Sequence, residues 1–168
     1  MIACIILLPA ALAILNNYRI NERLYGMNML AYNDRTRILR IIESFFLIPD
    51  APARPNLFNE GAGKWASIGG YLPLFSMVGV IAFMKHRDGH WAKRLVVICM
   101  ICAFIPILNC GFYMFNSSYY ARWFFMPILI MALASVLALE DTNLNYGYGV
   151  RVTVVFMLSF TMIGVLPK

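Results

Sequence analysis

Long apolar runs alternate with shorter polar stretches along this chain, and the alternation predicts its architecture. The apolar runs cover residues 1–15, 66–84, 95–115, 123–139 and 152–166. About 20 apolar residues cross the ~30 Å of hydrocarbon in a bilayer, so the middle three are predicted to span one. The first run has the length of half a span, and the last is of marginal length. The expected fold is therefore all-α: an integral membrane helical bundle with four to five transmembrane helices, forming a single membrane domain over residues 1–168.

The polar section 16–64 separates the first two runs. Within it, Asp34 to Pro49 reads DRTRILRIIESFFLIP. Ile38, Ile41, Ile42 and Phe45 recur at helical spacing on one face, while Arg37, Arg40 and Ser44 line another. Asp34 is placed to cap such a helix and Pro49 to end it. A basic amphipathic helix of this kind lies in the headgroup plane; the other reading is a packed connector with solvated arginines. Pro49, Pro52 and Pro55, with Gly61 and Gly63, then predict an irregular loop.

Inside the spans, Gly69, Gly70, Pro73 and Gly79 predict a kink and close helix approach. Asn109 lies about 9 Å from the end of its span at ~1.5 Å per residue. Its amide therefore needs a partner within protein, either a structural hydrogen bond to another helix or a bound group.

Composition sharpens the class. With 61% hydrophobic and 13% charged residues and a mean hydropathy of +0.71, the apolar surface exceeds what a soluble core of this size buries. The net charge of +6 reports orientation first. Lys85 to Arg94 (KHRDGHWAKR) holds four Lys or Arg in ten residues, which predicts a cytoplasmic loop. Residues 16–64 and 116–122 then fall outside and 140–151 inside, although seven Lys or Arg spread through 16–64 count against this topology. No basic run interleaves with aromatics outside the spans, so no nucleic-acid partner is expected. At the N-terminus, no Lys or Arg precedes the apolar run, so a signal-peptide n-region is missing, although Ala11 to Ala13 resembles a cleavage site. The chain is expected to be part of a longer protein.

The chemistry concentrates in Asn116 to Leu139, NSSYYARWFFMPILIMALASVLAL. Arg122 is flanked by Tyr119, Tyr120 and Trp123 at the head of an uncharged run, the pattern of a snorkelling cation at a water–lipid boundary. With the topology above, Arg37, Arg40 and Arg122 face the same outer boundary. A guanidinium fork pairs bidentately with phosphate, and neighbouring tyrosines can hold a ring or chain, which suits a lipid-linked phosphate. Interfacial anchoring alone accounts for the same residue types, and both readings stay open. Cys99 and Cys102 form a CxxC with no second pair, Cys4 and Cys110 sit in apolar runs, and His86 and His90 flank Gly89 in a polar loop. No metal site, disulfide framework or cofactor is expected from them. A transporter or flippase subunit, with Asn109, Pro106 and Pro127 along a broken-helix pathway, is the competing class. It lacks the deep charged residue that ion-coupled carriers use. A non-catalytic membrane scaffold is the third.

The span carrying NCGFYMFN, the short loop SSYYARWFFMP and the following span ending in ALE resemble the YfhO family of bacterial multi-pass membrane proteins. The preceding PNLF and the glycine-containing YLPLF span are similar too. The resemblance implies an all-helical, GT-C-like glycosyltransferase of the bacterial cell membrane, taking sugar from a polyprenyl-phosphate donor at the outer face and linked to envelope polymers such as teichoic acids. It further implies that Arg122 binds the donor phosphate with Tyr119, Tyr120 and Arg40, and that Asn109 lines the cavity. The catalytic acid of that class lies in a first outer loop and has no counterpart here, so the fragment alone is expected to be inactive.

Overall fold

The structure, a computed structural model, describes residues 9, 12–13, 24–33, 36–48, 57, 69–73, 76–112 and 122–165. Six α-helices are bounded within them: α1 (Arg37–Phe46), α2 (Ser76–His86), α3 (Trp91–Phe104), α4 (Pro106–Gly111), α5 (Phe125–Glu140) and α6 (Tyr146–Val165). Short 3-10 turns cover Gly26–Met29 and Arg122–Phe124. No strand occurs among the described residues. The chain is all-helical there, as the periodicity predicts. Tyr146–Val165 is the one described helix long and apolar enough to cross a membrane by itself.

Helix boundaries differ from the apolar runs in physically readable ways. In the run at 66–84, the described residues 69–73 are non-helical and α2 begins at Ser76; two glycines and Pro73 disfavour the α conformation there. The run at 95–115 starts earlier, at Trp91: His90 accepts a hydrogen bond from Ala92 N through Nδ1 at 3.1 Å and caps the helix. Gly89, at φ 82°, makes the tight turn before it. This run then breaks at Ile105, whose ψ of 116° is extended, as expected of a residue preceding proline. Pro106 restarts the helix at its first position. The run at 152–166 extends back to Tyr146, leaving a short turn in which Asp141 accepts from Asn143 N and Asn145 from Gly147 N. The run at 1–15 lies almost wholly outside the described residues.

The bundle is centred on α2, which packs against both α5 and α6; α3 packs on α5. Adjacent residues of α2 serve the two contacts. A Cβ on Gly79 would stand 3.2 Å from the Ser135 Cα of α5, and one on Gly149 of α6 would strike the Val78 carbonyl oxygen. Backbones thus meet almost directly, the packing mode of helices joined through small residues. The buried stripe of α5 is Pro127, Met131, Ala134, Ser135 and Ala138, whereas Phe125, Leu129, Val136 and Leu139 face outward. On α6 only Gly149 and Phe160 are buried. On these two helices Ala134, Ser135, Ala138 and Gly149 face inward beside Met131 and Phe160, while many large apolar side chains face outward.

The expected faces of α1 are partly inverted. Ile41 and Phe45 are buried, but so are Arg40 and Ser44, while Ile38 and Leu39 are 45% and 42% exposed. Arg40 is therefore not solvated, unlike the arginines of the connector-helix reading, although α1 is packed as that reading has it.

Candidate functional site at the aromatic end of the bundle

The two ends of the bundle differ in chemistry. At one end, Arg87 pairs with Asp141 at 2.5 Å, Lys93 pairs with Asp88 at 2.6 Å, and Lys85 stands 3.8 Å over the Tyr148 ring. The turns at 87–90 and 141–145 therefore lie together, and the Lys93 ammonium holds the Asp88 carboxyl below its ordinary value. A cavity of about 360 Å³ opens beside them, lined by Phe83, Arg87, His90, Leu137, Glu140 and Asp141. Neither Arg40 nor Asn109 is among its lining residues.

At the other end of α3, the break at Ile105 and Pro106 turns α4 so that Asn109 is fully buried. Trp123 Nε1 donates to Asn109 Oδ1 at 2.6 Å. Because indole nitrogen can only donate, this bond also assigns which end of the amide is oxygen. Asn109 Nδ2 is buried and makes no hydrogen bond of good geometry with any described atom. Trp123 is further fixed by a stacked Phe112, with ring centroids 4.4 Å apart, and by an edge contact to Phe124 at 5.0 Å.

Tyr32 joins the same cluster from the polar section, donating its hydroxyl to Ala103 O at 2.7 Å. Burial pushes its phenol well above the usual tyrosine range, and the nearby Cys110 adds to this; the Arg37 charge and the adjacent Asn109 act in the opposite direction. Tyr32, Arg37, Asn109, Cys110 and Trp123 are thus neighbours, although they come from three separated stretches of chain. Arg40 lies one turn beyond Arg37, 5% exposed, on the helix that also carries Phe45 to within 6.0 Å of the Phe124 ring.

Of the residues assigned from sequence, Asn109 is in this cluster and Arg40 is buried on the adjoining helix. Arg122 opens the turn Arg122–Phe124, so its backbone is next to the locked Trp123. Tyr119 and Tyr120 lie outside the described residues. Tyr32 and the Trp123 donor were not among the sequence candidates. Tyr32 has no local signal, since its partner is 71 positions away. Trp123 already carried a sufficient local explanation as an interfacial anchor. Among the described residues no three His, Cys, Asp or Glu converge on a metal position, and Cys99, Cys102 and Cys110 are free thiols.

No family model, curated protein or solved structure matches this chain.

Proposed function

We propose that this chain is part of a multi-pass protein of the bacterial cell membrane that binds a polyprenyl-phosphate-linked sugar at the aromatic end of its bundle, as a YfhO-like, GT-C-type glycosyltransferase would. Four to five spans are proposed. α3 and α4 have 14 and 6 residues with one between them, and α5 has 16 preceded by a 3-residue turn. At ~1.5 Å per α-residue and ~2 Å per 3-10 residue, each assembly covers about 30 Å. The many large apolar side chains exposed on α5 and α6 support the same reading.

The observation that carries the phosphate assignment is the burial of Arg40 beside the cluster, with apolar Ile38 and Leu39 turned outward. A guanidinium held inside the protein is fixed in orientation, which is what bidentate recognition of an oxyanion uses. Arg122, Tyr119 and Tyr120 would complete the phosphate site, Asn109 would line it, and the acid for sugar transfer would come from outside this segment. In the full-length protein, Arg40→Gln and Arg122→Ala are expected to abolish cross-linking to a photoactivatable polyprenyl phosphate and to stop sugar transfer while expression stays normal. Retained cross-linking in both variants removes the phosphate site.

The break at Ile105 and Pro106 favours a second reading, a transporter or flippase, because discontinuous helices line substrate paths in such proteins. Translocation of the lipid-linked sugar across reconstituted vesicles without transfer to an acceptor would select it. A non-catalytic scaffold would do neither.

A further inference from the structure

The helix that spans by its own length, α6, carries a second feature at the opposite end of the bundle. Tyr148, Arg151, Val152, Val155 and Phe156 line a groove of about 280 Å³. They occur at helical spacing, so the groove follows one stripe of the outer face of α6. Its floor is apolar and firm: Phe156 stacks on Phe46 of α1 with centroids 4.6 Å apart. Its upper rim is cationic. Arg151 Nε donates to the Gly147 carbonyl at 3.3 Å, which draws the guanidinium back toward the start of α6, and Lys85 of α2 reaches over the Tyr148 ring at 3.8 Å. Two cations from different helices therefore flank one tyrosine at the helix end, above a groove of hydrocarbon character.

We propose that this groove binds an anionic phospholipid, its phosphate between Arg151 and Lys85 and an acyl chain along Val152, Val155 and Phe156. Charge complementarity selects this occupant. A second protein copy would have to bring an acidic group to the same two cations, whereas an anionic lipid supplies phosphate and chain in one molecule, with the chain already at the right depth. Of the acids in the adjoining loop, Glu140 and Asp141 line the other cavity, and Asp141 is already paired with Arg87. The proposal needs α6 in a bilayer and is independent of the phosphate site at the aromatic end.

Native mass spectrometry of the full chain, released from micelles carrying phosphatidylglycerol or phosphatidylcholine with the same acyl chains, tests it. Wild type is expected to retain phosphatidylglycerol preferentially. A juxtamembrane cation contributes about 1 kcal/mol toward an anionic surface, so Arg151→Gln and Lys85→Gln are each expected to weaken retention about fivefold. Arg151→Lys should stay near wild type, and Val155→Trp, which fills the groove, should lower retention of both lipids. Equal retention of the two lipids by wild type, or unchanged retention in Arg151→Gln, would overturn the proposal. So would displacement of phosphatidylglycerol by inorganic phosphate, or a lipid-independent dimer that Val155→Trp dissociates.

Discussion

Trp123 gives its indole hydrogen to the Asn109 amide oxygen at 2.6 Å, and both side chains are buried. The bond ties the end of α4 to the turn that starts α5, so it sets where Arg122 begins that turn. Replacing Asn109 with Leu removes the only described acceptor of the indole and is expected to destabilise the protein by about 1–3 kcal/mol. Thermal unfolding in detergent of Asn109→Leu, Trp123→Phe and the double variant measures the coupling. Strictly additive losses would mean that the bond contributes nothing.

Gly149 lies against the Val78 carbonyl, with no room for a Cβ. Gly149→Ala must separate α2 from α6 and is expected to cost about 1–3 kcal/mol, the usual range for overpacking. Gly69→Ala is the control, because nothing lies within 4 Å of a Cβ there. The two variants should differ clearly in melting temperature.

The pairing of Arg87 with Asp141 brings two loops to one end of the bundle, while Ala103 and Tyr32 meet at the other. On the proposed multi-pass reading, cysteines placed singly at Asp88 and Asn143 in a background without the natural thiols should react with a membrane-impermeant maleimide from the same side. A cysteine at Asn33 should react from the opposite side. Labelling of Asp88 and Asn143 from different sides would contradict the packing of these loops.

The raised phenol of Tyr32 has a defined pH consequence. A folded value above the unfolded tyrosine value of about 10 means that the neutral phenol stabilises the folded state below that pH. This contribution is lost as pH rises from there toward the folded value. Wild type should thus lose stability relative to Tyr32→Phe only above about pH 10. Phenolate absorbance of the folded protein should show one tyrosine that resists ionisation, absent from the variant. Parallel melting temperatures of both proteins through that range would exclude the buried state of Tyr32.

Much of the helix pattern is readable from the order of residues, and its exceptions are instructive. Pro106 signals a break, and the extended Ile105 is where it falls. The start of α3 at Trp91 is less visible, because the capping histidine sits in a run of charges that reads as loop. For the candidate site, Asn109 is singled out by its polarity within an apolar run, and burial with a donor is what such an amide requires. Arg40 is the opposite case. Its periodicity places it on a polar face, but whether that face meets water or protein depends on the elements packed against α1.

What this sequence determines by itself is helicity, the apolar lengths and the places where glycine and proline interrupt them, because these follow from local backbone preferences and from hydropathy summed along the chain. Which faces are covered was decided only by tertiary structure. Where large apolar side chains such as Phe125, Leu129 and Val155 stay exposed, hydrophobicity by itself cannot mark the inside. Burial is set instead by close contacts such as Gly149 on Val78 and by distant hydrogen bonds such as those of Trp123 to Asn109 and Tyr32 to Ala103.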